Sequence, residues 1–231
     1  KNKWIVTLHI REPSYRGENK FNSKENFRTS DPLSYISACK EIIKEGGIVF
    51  RMGDKRMSKF PEIEGVIDYA HSSFKSEFMD IFLASQSRFC IGTASGFFRI
   101  PRYFGVPVLF TNSASYSPLF SLKKGDIFLP RMIKNIKKNS YLTFGKCLSP
   151  EIGLLWHDDQ YNSKNLITIS NTSEEIEAAT KEIIDQINHN YKQIKNEQQK
   201  KFDYLANIKG GQYNNTKVKN LSTISKFFIN K

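Results

Sequence analysis

A chain of 231 residues with 39% hydrophobic residues can bury a substantial core, which excludes an intrinsically disordered segment. No apolar run approaches the roughly 18 residues of a transmembrane helix, and three widely spaced cysteines favour neither a disulfide framework nor a cysteine metal site. The formal net charge of +12 favours anionic partners, although an AT-rich genome also produces a lysine-rich composition. We expect a cytoplasmic protein, with contact at the inner face of a membrane compatible with its charge.

The first predicted strand covers residues 4–10 and is apolar on both faces, as a central parallel strand should be. His9 lies at its end, and Pro13 takes the chain out of regular pairing. Arg11 would therefore lie at the carboxyl end of a buried strand, where open α/β sheets bind their ligands. The alternative is a salt bridge between Arg11 and a nearby acid.

Further strands are predicted at residues 48–52, 66–68, 89–91 and 106–110. One intervening helix begins at Asp31-Pro32, and a second is capped by Ser76. The helical spacing of the second predicts a buried apolar face made of Phe78, Ile81, Phe82 and Ser85. This alternation predicts an α/β fold, a Rossmann-like and mostly parallel sheet with helices on both faces.

The turn Gly92-Thr93-Ala94-Ser95-Gly96 lies between a predicted strand and a helix-like stretch. Free N–H groups at a helix start, two hydroxyls and the close approach that glycine allows would suit a phosphate. The alternative is an ordinary βα turn capped by Ser95. Because the carboxyl ends of parallel strands meet at one edge, we expect one shared ligand site there. Its candidate residues are Arg11, Arg51, Gly53, Asp54, Asp68, Gly92, Thr93, Ser95, Gly96 and Asn112.

The second half of the chain gives weaker signals. A last strand is predicted at Leu166–Ile169, a long helix from residue 171 to about 207, and a closing helix over 218–228. Trp156-His157-Asp158-Asp159 is a weak metal candidate, because two adjacent aspartates do not easily reach one ion. With no Asp-x-Asp at a strand end and four histidines, we expect no metal site.

Five segments together resemble a bacterial family of predicted glycosyltransferases of surface-polysaccharide loci: His9–Tyr15, Phe50–Asp54, Ile67–Ala70, Lys75–Leu83 and Phe89–Gly96. More distantly, HIR and the turn C-x-G-T-x-S-G are similar to fucosyltransferase-type enzymes of the GT-B fold. The resemblance covers roughly residues 4–130 and is weaker beyond. It implies the C-terminal, donor-binding half of a GT-B fold, a single nucleotide-sugar-binding domain over 1–231 with a helical part over 171–231. We expect an excerpt without its N-terminal acceptor domain.

The resemblance implies that Arg11 neutralises the donor diphosphate and that Thr93 and Ser95 contact phosphate. It implies metal-independent transfer without a cofactor, the nucleotide diphosphate sugar being a substrate. Fucosyltransferases have a second arginine directly after HxR, where this chain has Glu12, so the sugar stays open. His9 and Glu12 are the nearest candidates for the catalytic base, with a base in a missing domain as the alternative.

The expected partners are a nucleotide-sugar donor, a glycan or lipid-linked glycan acceptor, and the surface of an anionic membrane, without nucleic acid. One alternative function is a GT-B-like nucleotide-sugar 2-epimerase, which needs acid and histidine groups at the sugar C2. Another is a non-catalytic basic domain for nucleic acid or anionic glycan, which needs a basic stripe with exposed aromatics. The sequence favours a glycosyltransferase of surface-polysaccharide biosynthesis.

Overall fold

The computed structural model describes residues 3–13, 25–116, 121–189, 197, 199–205 and 223–225. Within them, seven parallel strands form the main sheet: β1 (Trp4–His9), β2 (Gly47–Met52), β3 (Val66–Ile67), β4 (Phe89–Gly92), β5 (Val108–Ser113), β6 (Ile127–Pro130) and β10 (Thr223–Ile224). The five strands predicted in the first half are confirmed to within about three residues at each end. The fold is α/β and Rossmann-like, as the sequence predicts.

The spatial order of the strands is β10-β6-β5-β4-β1-β2-β3. The chain moves outward from β1 to β3 and then returns to place β4 on the other side of β1. His9 at the end of β1 therefore lies between Met52 of β2 and Gly92 of β4. In such sheets the loops after the two central strands diverge and leave a crevice at their carboxyl ends.

Helices cover both faces of the sheet. On one face, α1 (Ile36–Lys44) packs against α7 (Ser173–Asn188), and both contribute to a core with Val6 and Val49. On the other face lie α2 (Glu77–Gln86) and α3 (Arg99–Tyr103). Burial on both faces explains why β1, β4 and β5 consist almost entirely of apolar or small residues.

Local capping chemistry sets where these helices begin. Asp31 accepts a hydrogen bond from the Leu33 N–H and starts the 3-10 turn Pro32–Tyr35, which continues into α1. Ser76 caps α2 as predicted, accepting from the Met79 N–H. A reciprocal capping box between Thr172 and Glu175 begins α7.

A small antiparallel sheet follows the main one. It has the order β8-β7-β9, from β7 (Met132–Asn135), β8 (Ser140–Tyr141) and β9 (Leu166–Ile169). The predicted strand at 166–169 is therefore confirmed, but it pairs with β7 outside the parallel sheet. Three short helices, α4 (Phe144–Cys147), α5 (Pro150–Gly153) and α6 (Asp158–Ser163), lie between β8 and β9.

Two predictions for the C-terminal part are wrong within the described residues. The helix predicted to run to about residue 207 ends at Asn188, although residues 199–205 are helical again. The closing helix predicted over 218–228 is replaced at Thr223–Ile224 by β10, which pairs with the otherwise open edge of β6. Two β-branched residues suit that edge position. The rest of the predicted range, 218–222 and 226–228, lies outside the described residues.

The apolar face predicted for α2 is also wrong. Phe78, Ile81 and Phe82 are 73%, 49% and 43% exposed, whereas Leu83 and Ala84 are buried. Because apolar residues surround most of this helix, periodicity alone does not identify the side that meets the sheet. Leu83 packs with Met52 and Tyr69 in the core.

This correction predicts opposite effects for two substitutions in α2. Leu83→Ala should lower the free energy of unfolding by about 2–5 kcal/mol, because it leaves a cavity in the core. Phe78→Ser should change it by no more than about 0.5 kcal/mol, because the ring is exposed. Urea unfolding of both variants measures the difference. A larger loss from Phe78→Ser would contradict the orientation of α2.

Candidate ligand-binding cleft

A cleft of about 340 Å³ lies at the carboxyl ends of β1, β2 and β4. Six of the predicted site residues line it: His9, Arg11, Gly53, Asp54, Ser95 and Gly96. The cleft occupies the crevice that the reversal of strand order at β1 creates. The shared edge that the sequence predicts is therefore present in the structure.

His9 is held on two sides at the floor of this cleft. Its Nδ1 lies 3.1 Å from the Ser95 hydroxyl, and its ring stacks on Phe97 with centroids 5.0 Å apart. Burial, followed by the positive charges of Arg51, Arg11 and Lys75, lowers the pKa of His9 from 6.5 to about 4. The imidazole is therefore neutral at physiological pH, in surroundings that are electropositive.

The loop after β4 is tied to the end of β1 by two hydrogen bonds. The Arg11 N–H donates to the Thr93 hydroxyl over 2.9 Å, and the Thr93 N–H donates to the His9 carbonyl over 3.2 Å. Thr93 itself is fully buried. It therefore fixes the position of the turn and leaves Ser95 and Gly96 as the turn residues that face the cleft.

Arg11 lines the cleft, and its guanidinium has an acidic partner. Its Nη2 forms an ion pair with the Glu25 carboxylate, which also accepts from Arg28 Nη2 at 2.8 Å. Both interpretations of Arg11 thus have structural support, since it faces the cleft and takes part in a salt bridge.

A second cavity of about 280 Å³ lies against the same turn. Ser95 and Gly96 line both cavities, and Arg28, Arg99 and Trp156 line the second. A Cβ added at Gly96 would meet no atom within 4 Å, so this glycine leaves open space at the boundary of the two cavities.

Arg51, Glu12 and Asp68 form a buried ion network and do not line the cleft. Arg51 is fully buried, with one guanidinium nitrogen on Glu12 and another 3.2 Å from Asp68. The second Glu12 oxygen accepts from the N–H and hydroxyl of Ser58, and the second Asp68 oxygen accepts from the Phe60 N–H. The predicted ligand roles of Arg51 and Asp68 and the predicted base role of Glu12 gain no support, because their polar groups already bind one another.

Three other predicted residues have packing roles. Asn112, fully buried with φ 54°, exchanges two hydrogen bonds with Asn171 and joins β5 to the segment before α7. A Cβ at Gly92 would lie 3.1 Å from that of Phe98, so the strand end packs tightly on α3. Gly53 has φ 154°, and a Cβ there would lie 2.3 Å from the Met57 sulfur. The backbone conformation and this close contact both favour glycine at position 53, which lines the cleft.

The predicted helix start at the glycine turn is wrong. The helix α3 begins only at Arg99, has five residues, and has Phe98 rather than Ser95 as its N-cap. Ser95 instead faces His9. A helix this short gives little dipole, so any anion binding here depends on side chains and on the turn itself.

Lys75 and Asp80 are cleft residues to which the sequence argument assigned no role. Lys75 Nζ lies 2.9 and 3.0 Å from the two carboxylate oxygens of Asp80. Both lie in Lys75–Leu83, one of the five segments that carry the family resemblance. That resemblance is the sequence signal that indicates a ligand role for them.

No group of three or more His, Cys, Asp or Glu residues with metal-site geometry occurs in the part of the chain that the structure describes. Asp158, from the weak metal candidate, accepts instead from the N–H groups of Asn26 and Phe27, each at 2.9 Å. Among the described residues, helices lack the combination of length and hydrophobicity that crossing a bilayer requires.

Comparisons of this chain with models of protein families, with curated proteins and with solved structures give no match.

The buried network predicts that Arg51→Met destabilises the fold. The buried Glu12 and the half-buried Asp68 would lose their shared cation, and breaking a buried ion pair costs about 3–5 kcal/mol. Chemical unfolding at neutral pH measures the loss. A change below about 1 kcal/mol would contradict the structural role of Arg51.

The lowered pKa of His9 predicts that the free energy of unfolding depends on pH. Its pKa is lower in the folded protein, so the unfolded state takes up the proton first as the pH falls. The stability contribution is complete above about pH 6.5 and is lost progressively towards pH 4. In urea titrations across this range, His9→Gln should remove that part of the slope. Substitution of the exposed His189 by Gln serves as the control, and an equal effect of both variants would contradict the assignment.

Proposed function

We propose that this chain binds the nucleotide diphosphate sugar for a metal-independent glycosyltransferase of surface-polysaccharide synthesis, as the donor half of a GT-B enzyme. The observation that supports this most is the convergence of Arg11, Lys75 and Ser95 on one cleft at the β1–β4 reversal. Open α/β sheets bind nucleotides at that point. The expected acceptor is a glycan or a lipid-linked glycan.

The charges of the cleft suit a leaving diphosphate. Negative charge develops on the phosphate oxygens as the glycosidic bond breaks, and fixed cationic donors stabilise it. Arg11 offers a planar pair of donors, which matches phosphate geometry better than an ammonium group does. Burial, followed by the charges of Arg51, Arg11 and Lys75, lowers the pKa of His9, so cations near the cleft contribute to that shift.

His9 fits an orienting role better than that of the base. Of the two predicted bases, only His9 lines the cleft. Glu12 lies outside the lining, and its two oxygens accept hydrogen bonds from Arg51 and Ser58. With a pKa of about 4, its neutral imidazole is a weak proton acceptor. We assign it to holding the Ser95 hydroxyl and place the base on the acceptor side of the reaction.

A 2-epimerase would share this phosphate site, and one observation favours keeping it as a second candidate. The cleft contains carboxylates, Asp54 and Asp80, near His9. Each is paired with a cation, Arg56 or Lys75, which makes it a poorer acid or base at a sugar carbon. Isomerisation of a nucleotide sugar without release of nucleotide would support the epimerase over the transferase.

Arg11→Ala tests the donor site. Loss of a charge-assisted hydrogen bond should weaken binding of UDP or GDP by about ten- to a hundredfold. Uridine and guanosine should bind the variant and the unaltered protein equally, because they lack the phosphates that Arg11 contacts. Calorimetric titration with each nucleotide and nucleoside gives these affinities.

The matched control is Arg88→Ala, since Arg88 precedes β4 and lies at the opposite edge of the sheet. It should leave diphosphate affinity unchanged. An equal loss of affinity for nucleosides and for diphosphates would contradict the donor-site proposal. A lower melting temperature of Arg11→Ala without any change in diphosphate affinity would also contradict it and would make Arg11 a structural salt-bridge residue.

A further inference from the structure

Two arginines hold one carboxylate at the edge of the cleft. Glu25 Oε2 accepts from Arg11 Nη2, from Arg28 Nη2 at 2.8 Å and from Arg28 Nε at 3.2 Å. All three side chains are largely buried. An anion surrounded by guanidinium donors is also the geometry in which proteins bind phosphate.

The backbone that carries Glu25 is anchored independently of this carboxylate. The next residues form the 3-10 turn Asn26–Arg28, whose first two N–H groups donate to Asp158. Arg131 donates to the Asn26 carbonyl over 3.1 Å, and the buried Phe27 packs on Tyr161. The backbone of the 3-10 turn therefore has anchors that do not depend on the Glu25 carboxylate.

The arginine pair also connects the two cavities. Arg11 lines the larger one, Arg28 lines the smaller one, and both cavities share Ser95 and Gly96. Glu25 binds one arginine from each. A ligand that extends from one cavity into the other would meet Arg11, Arg28 and the two turn residues.

We propose that Arg28 is a second phosphate-binding residue and that Glu25 is an internal anion, which occupies the arginine pair in the free protein and is displaced by a diphosphate. The inference rests on the proposed function and deepens it. A diphosphate offers more charge and more acceptor oxygens than one carboxylate, so it can replace Glu25 where a single carboxylate ligand gains little. This exchange would favour diphosphates over ligands with a single carboxylate, and it would keep Arg11 and Arg28 in ion pairs with Glu25 in the free protein.

The test is calorimetric titration with inorganic pyrophosphate. Glu25→Gln removes the competing charge and should bind pyrophosphate about tenfold more tightly, whereas Arg28→Gln should bind it about tenfold more weakly. Glu45→Gln is the matched control, since Glu45 is exposed, precedes β2 and so lies at the opposite edge of the sheet. It should bind as the unaltered protein does.

A second readout separates displacement from a purely structural role of Glu25. Without ligand, Glu25→Gln should melt at a lower temperature, because two arginines lose their ion pair with Glu25. With pyrophosphate, its melting temperature should rise by more than that of the unaltered protein. If Glu25→Gln does not fold, Glu25→Asp, which keeps the charge on a shorter side chain, should give a smaller gain in affinity.

Unchanged or weaker pyrophosphate binding by the Glu25 variant would overturn this inference. If Arg11→Ala still loses diphosphate affinity in that case, the proposed function stands and only the role of Glu25 and Arg28 fails. If neither the unaltered protein nor Glu25→Gln binds pyrophosphate, UDP or GDP, both proposals fail together.

Discussion

The pairing of β1 between β2 and β4 is the constraint on which the cleft depends. The chain after β1 runs to α1 on one face of the sheet and the chain after β4 runs to α3 on the other, so the two segments diverge beyond the hydrogen bonds that join them at the strand ends. His9, Arg11 and the glycine turn thereby face a common space, although more than 80 residues separate the hydrogen-bonded Arg11 and Thr93. Register fixes this arrangement, since a shift of one residue would turn His9 to the other face of the sheet.

The buried Arg51 network contributes to the electrostatics at His9. Arg51 joins the segment after β1, through Glu12, to the segment after β3, through Asp68. A buried cation with two carboxylate partners holds these loops in one arrangement, because separating any partner leaves an uncompensated charge. The same cation lowers the pKa of His9. A buried group outside the cleft lining thus helps to determine the protonation of His9, which lines the cleft.

The sequence predicts the sheet, its edge and six cleft residues, because apolar runs and the residues after them are local features. It does not separate Arg11 from Arg51, since both lie near strand ends and only long-range contacts decide which faces solvent. The exposed Phe78 and the strand at Thr223–Ile224 were missed for the same reason. Long-range contacts decide which side of α2 meets the sheet and which strand pairs with the edge of β6, and local sequence shows neither. The sequence also does not identify Glu25 and Arg28 as site residues, because they lie in a polar segment without periodicity.

Arg11 and Arg51 show how the location of the counterion distinguishes a binding arginine from a structural one. The partners of Arg51 are themselves held by Ser58, Phe60 and other groups, so an incoming anion would have to break several hydrogen bonds to replace one. Glu25 instead reaches Arg11 from the end of a turn whose backbone is secured elsewhere. Moving its side chain leaves those backbone hydrogen bonds intact. Replacing Glu25 would thus break its contacts with the two arginines, whereas replacing a partner of Arg51 would also break hydrogen bonds to Ser58 or Phe60.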